Sequence, residues 1–247
     1  MFPQIRGILA GSAPPRLYFT ADIATFTPTA TLSSGAPKWT IIESDGTEYT
    51  YNTAAISHTR TAAGEFEVYL TPENITGLDM SSCGLACDIG VSGFDLLTSL
   101  SGSFYFQSNP NLSGDISALP SGADRYLFYS TSVSGSVADL PSGASYYYFY
   151  STSVSAGAVA HLTTAFIIDL RDIGWPQADV DTVVASVYTA RAVYTNATPE
   201  LDISGSNAAP SGIYQDATPP TTGKEKIYKL ENDPDGEGFN KWGITHS

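Results

Sequence analysis

Two five-residue phrases each occur twice at one offset. Leu119-Pro120-Ser121-Gly122-Ala123 returns as Leu140-Pro141-Ser142-Gly143-Ala144, and Ser130-Thr131-Ser132-Val133-Ser134 returns as Ser151-Thr152-Ser153-Val154-Ser155, both 21 residues later. A unit that short holds one or two short strands and cannot bury its own apolar side. It is stable only when stacked on further units, so the repeat predicts a quasi-linear pile of similar turns.

The apolar positions extend the pile beyond the two exact copies. One turn reads Ile75, Leu78, Met80, Cys83, Leu85, Ile89; the next reads Phe104, Phe106, Asn109, Leu112, Ile116 with one extra residue at Pro110. The third reads Ala123, Tyr126, Phe128, Thr131, Val133, Val137, and the fourth Ala144, Tyr147, Phe149, Thr152, Val154, Ala158. A fifth reads Ala165, Ile168, Leu170, and a sixth Leu201, Ile203, Ser206. The central alternation in each turn is a short strand whose alternate side chains enter the core. The Asn, Cys or Thr position falls where the chain leaves the strand and its buried backbone groups need partners.

These turns resemble the irregular leucine-rich repeats of surface and adhesion proteins, and Asn109-Pro110-Asn111-Leu112-Ser113-Gly114-Asp115-Ile116 is the most typical piece. The resemblance implies a mainly β, leucine-rich-repeat-like solenoid over residues 73–206. Tyr126, Phe128, Tyr147 and Phe149 are expected to point inward.

The flanks have other textures. Residues 1–72 carry Trp39-Thr40-Ile41, Asp45-Gly46 and the alternating run Glu65 to Leu70, which predict a hairpin and a half-buried strand in a small β-sandwich of six or seven strands. Trp39, Asp45-Gly46 and that final strand resemble PKD or immunoglobulin-like modules. Val180, Val183, Val184, Val187 and Tyr188 share one helical face, so a capping helix is expected over 177–191, with Pro176 at its start. Residues 207–223 read as an extended linker, and the rest of 207–247 as a short β tail with strands at Ile227–Leu230 and Lys241–Thr245.

Charge narrows the partners. The net charge is −14, and residues 61–170 hold one basic residue, Arg125, against ten acidic ones. That balance argues against nucleic acid, whose phosphates demand the opposite sign. No apolar run is long enough to cross a bilayer, so no membrane insertion is expected. The first eleven residues lack the apolar core of a secretory signal, which predicts a protein not exported by its own N-terminal leader.

Catalytic motifs are not found. His58, His161 and His246 lie in different segments without Glu or Cys at ligand spacing, and there is no nucleophile elbow, P-loop or dinucleotide fingerprint. The plainer reading makes all three exposed or core-edge side chains. No catalytic residue and no cofactor is expected. Cys83 and Cys87 read as two small buried thiols, with a local disulfide as the alternative. Asp233, Asp235 and Glu237 alternate around Gly236 like the first half of a calcium loop, but the distal Glu is missing, so a plain acidic turn is the better reading and no metal is assigned.

The best candidate site is a surface. Between the inward positions, Tyr105, Arg125, Leu127, Tyr129, Tyr146, Tyr148 and Tyr150 face outward on neighbouring strands. Stacking at about 4.8 Å would line them up into an aromatic ladder suited to a glycan or a protein surface. Covering by another subunit or domain is the alternative.

Asn207-Ala208-Ala209-Pro210-Ser211-Gly212-Ile213-Tyr214 and Asp233-Pro234-Asp235-Gly236-Glu237-Gly238-Phe239-Asn240-Lys241-Trp242 resemble the endings of tailed-bacteriophage virion proteins. That implies a structural or binding component of a phage particle, surface- or tail-associated, with a host-attachment or decoration role. It would be assembled in the host cytoplasm among other virion proteins or copies of itself. A bacterial cell-surface adhesion module and, less favoured, a polysaccharide-active enzyme are the alternatives.

Overall fold

The protein is mainly β, and the computed structural model describes residues 16–247. The reading of the leader, and the start of the expected N-terminal module, lie outside these residues. Seven strands precede residue 72: β1 (Leu17–Ala21), β2 (Thr25–Phe26), β3 (Thr29–Leu32), β4 (Trp39–Ile42), β5 (Glu48–Tyr51), β6 (His58–Thr59) and β7 (Phe66–Leu70). The repeat region adds β8 (Ile75–Asp79), β9 (Ser103–Tyr105), β10 (Ser113–Asp115), β11 (Arg125–Leu127), β12 (Ser132–Ser136), β13 (Tyr146–Tyr148), β14 (Ser153–Ser155) and β15 (Ile167–Asp169). Helix α1 (Gln177–Ala190), β16 (Glu200–Ile203), helix α2 (Gly223–Asn232) and β17 (Gly243–His246) complete the chain.

The 21-residue period becomes two parallel sheets. The three units that hold β9 and β10, β11 and β12, and β13 and β14 each supply one strand to an eight-stranded sheet and one to a three-stranded sheet, β10-β12-β14. The large sheet runs β17-β16-β15-β13-β11-β9-β8-β3, parallel throughout except for antiparallel β3 at its edge. Tyr126 is in register with Tyr147 and Phe104 with Tyr126, so like side chains lie over like. All four aromatics expected inside are fully buried. Phe106, Phe128 and Phe149 stack at 5.3 and 5.5 Å with rings nearly parallel. Tyr126 and Tyr147 bring hydroxyls into this core, and each donates 2.6 Å to the carbonyl of Pro120 or Pro141. The repeated Leu-Pro-Ser-Gly phrase therefore supplies the acceptor without which a buried phenol would be costly.

The turns are held by side chains, as expected from the Asn/Thr position. Asn109 accepts from Leu85 N and donates to the carbonyls of Met80 and Phe106. Thr131 and Thr152 donate to the carbonyls of Phe128 and Phe149. Two readings slip by one residue. The sixth turn uses Asn207, not Ser206, to accept from Trp175 N and donate to Leu170 O. The fourth buries Val159 and leaves Ala158 exposed. Beyond the second sheet, Asp115 caps a short 3-10 turn through Ser117 N, and Gly135 of the next unit lies over that carboxylate. A Cβ at Gly135 would meet Asp115 Oδ1 at 2.5 Å, and the backbone there has φ +102°, so glycine is required.

Several expectations change at the flanks. The strands ahead of residue 72 do not close into a sandwich of their own: β1-β7-β4-β5 form one antiparallel sheet, β2 and β6 a ribbon, and β3 joins the large sheet beside β8. Phe19 of β1 lies 6.1 and 6.0 Å from Phe94 and Phe106, so the core runs unbroken across residue 72. Helix α1 forms as expected and buries all four valines. It closes the three-stranded sheet, where Trp175 Nε1 donates 2.9 Å to Val154 O and Val159 N donates to Ser186. It does not end the large sheet, which continues through β16 and β17.

Residues 207–223 are not a free linker either, because Ala208 N donates to Trp175 O and Ser211 N to Asp181 on α1. Where a strand was expected at Ile227–Leu230, α2 packs on α1 instead. Its start carries Thr222-x-x-Glu225, and Glu225 accepts from the amides of Thr221 and Thr222. Only the second tail strand is present, as β17, paired in parallel with β16.

Candidate functional site

The outward side of the large sheet is built in rows by the pleat. One row contains Ser103, Arg125, Tyr146, Ile167 and Glu200; the next contains Asp79, Tyr105, Leu127, Tyr148, Asp169 and Asp202. Two residues further along each strand, Tyr129, Tyr150 and Arg171 follow one another at the 21-residue spacing. The structure brings together every residue of the expected ladder: Tyr105, Arg125, Leu127, Tyr129, Tyr146, Tyr148 and Tyr150 line one shallow depression of about 360 Å3, together with Arg171. Arg171 was missed in the sequence, although it stands one repeat after Tyr150 and the spacing alone would have found it.

Most ring faces in this surface are already occupied. Tyr129 stacks on Tyr150 at 4.4 Å and 7°, and the Arg171 guanidinium lies 4.4 Å from the Tyr150 ring centre. The Arg125 guanidinium lies 4.4 Å over Tyr146. Both cations are thereby tied to rings. Arg125 also pairs with Asp124 at 3.5 Å, and Arg171 with Asp169 and Asp202 at 3.4 and 3.9 Å. Burial pushes the Asp169 carboxyl up to about 6, against the lowering pull of Arg171 and its amide, while Asp202 and Asp172 raise it further. Asp169 and Asp202 sit side by side on adjacent strands.

A second depression of about 390 Å3 adjoins the first and shares Tyr105 with it. It is lined by Thr29, Thr31, Thr76, Gly77, Gly102 and Ser103 among others, and nothing in the residue pattern marks it because β3 arrives from a distant segment.

The remaining candidates are held in structural contacts. Asp233 accepts from Glu237 N and Gly238 N, Asp235 pairs with Lys229 at 2.6 Å, and Glu237 pairs with Arg191 at 2.5 Å. The three carboxylates turn to three different partners, and among the described residues no cluster of three or more metal-ligating side chains occurs. Cys83 and Cys87 are buried free thiols rather than a disulfide. Burial pushes Cys83 up to about 12 and Cys87 upward, which keeps both protonated.

His58 is a correction, since it is neither exposed nor at a core edge. It is buried, with Nε2 2.9 Å from Glu43 and Nδ1 3.0 Å from the Tyr51 hydroxyl. His161 is exposed and bonds Leu140 O, and His246 lies on edge strand β17. No helix among the described residues is long and apolar enough to cross a membrane. No family model, curated protein or solved structure matches the chain.

Proposed function

We propose that this chain is a non-catalytic binding module: a leucine-rich-repeat-like solenoid whose outward aromatic face holds a partner. The observation that carries the reading is the convergence of five tyrosines, two arginines and Leu127 on one depression of the large sheet. Tyrosine suits recognition, since it offers rigid apolar area and a hydroxyl at little cost in ordering. The two outward arginines are already paired, and the chain carries a net charge of −14, so an uncharged partner fits better than an anionic one. The setting we favour is a tailed-phage particle, on its surface or tail, with other virion proteins or further copies as neighbours. That choice rests on the resemblance of residues 207–214 and 233–242 to virion-protein endings.

The test replaces Tyr148 and Tyr150 together by Ser. Both side chains point outward and are half-buried, so the variant should melt like the parent. Adsorption of particles to host cells, or attachment of the protein to the particle, should weaken by about 30-fold or more if these are anchor residues. Adsorption and attachment both unchanged in a folded double variant would refute the reading.

A further inference from the structure

The outward rows differ in one respect at strand β11. In the first row Arg125 fills the space beside Tyr146, and in the third Tyr129 fills the space beside Tyr150, each at 4.4 Å. In the middle row the β11 position is Leu127, in register with Tyr105 on one side and Tyr148 on the other. Leucine is too short to stack between them, so the middle row has a gap where its neighbours have a filled stack. Tyr148 is parallel to Tyr146 within 5°, and Tyr146 presents its face to Arg125 on β11. The Tyr148 ring face is therefore turned across Leu127 toward Tyr105. Two strand spacings separate the strands that carry Tyr105 and Tyr148, about 9.6 Å. A ring inserted between two others needs about 7–8 Å, so that strand spacing leaves room for one ring over Leu127.

The rim of this gap is polar. Hydroxyls of Tyr105, Tyr129 and Tyr150 and the guanidiniums of Arg125 and Arg171 surround it. The two guanidiniums are already paired, but an aromatic side chain of a partner protein would fill the gap and leave the tyrosine hydroxyls without partners, which is costly once water is excluded. A pyranose ring has an apolar face for Tyr148 and Leu127 and an equatorial belt of hydroxyls for the rim. Past Tyr105 the surface continues into the threonine-lined depression, which offers hydroxyls and no aromatic ring beyond Tyr105 itself.

We propose that the gap over Leu127 is a subsite for one pyranose ring of a neutral oligosaccharide, whose chain runs over Tyr105 into the depression lined by Thr29, Thr31 and Thr76. The proposal rests on the contact-face reading above and names its ligand class.

The experiment measures binding of the purified protein to an array of neutral glycans and then titrates linear neutral oligosaccharides of one to six sugars. Binding is expected to strengthen with length by about tenfold or more between one sugar and four, as contacts accumulate beyond Tyr105. Leu127→Trp, which fills the gap, should lower affinity at least tenfold, while Leu127→Ala, which leaves it open, should stay within about threefold of the parent. Melting temperatures of both variants check that the fold is kept. A parent protein that binds no neutral glycan at millimolar concentration, or a folded Leu127→Trp that binds as well as the parent, would overturn the assignment. If the glycans fail while the Tyr148/Tyr150 double variant still loses its attachment, the face binds a protein and only the saccharide assignment falls. If the double variant also loses nothing, both readings fall.

Discussion

The antiparallel sheet at the N-terminal end and the parallel sheet of the repeats each bury one carboxylate, and they treat it in opposite ways. Glu43 follows β4 and is almost fully enclosed. Burial alone would raise its pKa, but the amides of Thr61 and Ala62, the Thr61 hydroxyl and His58 outweigh that and bring it down to about 2. Asp169 ends β15, and burial wins there, leaving it at about 6. The difference follows from what each architecture does with its amides. Around β4 the chain between β6 and β7 is a loop, whose amides are free to point at a side chain. In the parallel sheet the amides serve the next turn: Ser151 N, Leu170 N and Asp172 N all donate to carbonyls of neighbouring strands. Asp169 is left with a single long bond from Arg171 N, at 3.4 Å, and an ion pair.

The same economy explains why the parallel region relies on side chains at its turns, and the largest expected effect tests this. Asn109→Ala removes an amide that serves both strand-leaving carbonyls and the Leu85 amide, in a site with no water access. Three buried backbone groups lose a partner, so the chain should be destabilised by about 3 kcal/mol in a denaturant melt. A loss below about 1 kcal/mol would mean that the ladder alone holds the turn, and the contrast between the two regions would lose its basis.

The next test works on the antiparallel side. A depressed folded pKa means that Glu43 contributes stability above its unfolded value of 4.5, and that this is lost as pH falls through about 2. Glu43→Gln should therefore lower the melting temperature at pH 7, with the gap to the parent closing as both are taken from pH 4.5 toward pH 2. A gap that stays constant over that range would show that the carboxylate's charge plays no part and that His58 and Thr61 need only an acceptor.

How much of this could be read from the residues follows the same division. The inward tyrosines and phenylalanines, the Asn109 turn and the outward ladder were legible, because a fixed 21-residue spacing carries each position to the next strand. Helix α1 was legible because Val180, Val183, Val184 and Val187 repeat at helical spacing within a 14-residue helix. Helix α2 was not, since Ile227-Tyr228-Lys229-Leu230 is too short a run for its apolar residues to separate a helix from a strand. The better signal was upstream, in Thr222 and Glu225. The β3–β8 pairing joins Ala30 to Leu78 across a stretch with no repeat to mark it. For the same reason His58 gave no sign that Glu43, fifteen residues before it, would enclose it. At the site, the spacing supplied the residues but not their mutual contacts. That Tyr129 and Tyr150 cover each other's faces, leaving Leu127 as the gap, depends on side-chain orientation that no pattern of residue types specifies.

The smallest effect is also the one with the opposite sign. Asp169 has its folded pKa raised from 3.8 to about 6, so its protonated form is the one the fold prefers. Such a group contributes stability that is full below pH 3.8 and is lost as pH rises through about 6. Asp169→Asn resembles the protonated state and keeps an oxygen for the Arg171 amide. The variant should thus match the parent near pH 3.5 and exceed it above pH 6, by about 1 kcal/mol once the remaining pairing with Arg171 is discounted. Relieved of Asp169, Arg171 still has Asp202 at 3.9 Å and the Tyr150 ring at 4.4 Å, so the aromatic face should keep its arrangement. Thermal melts of parent and variant from pH 3.5 to pH 8 read the crossover directly. Should Asp169→Asn be the less stable protein at pH 8, the ion pair with Arg171 outweighs burial after all. The two buried carboxylates would then be stabilised alike, each by its charge, despite the different sheets that hold them.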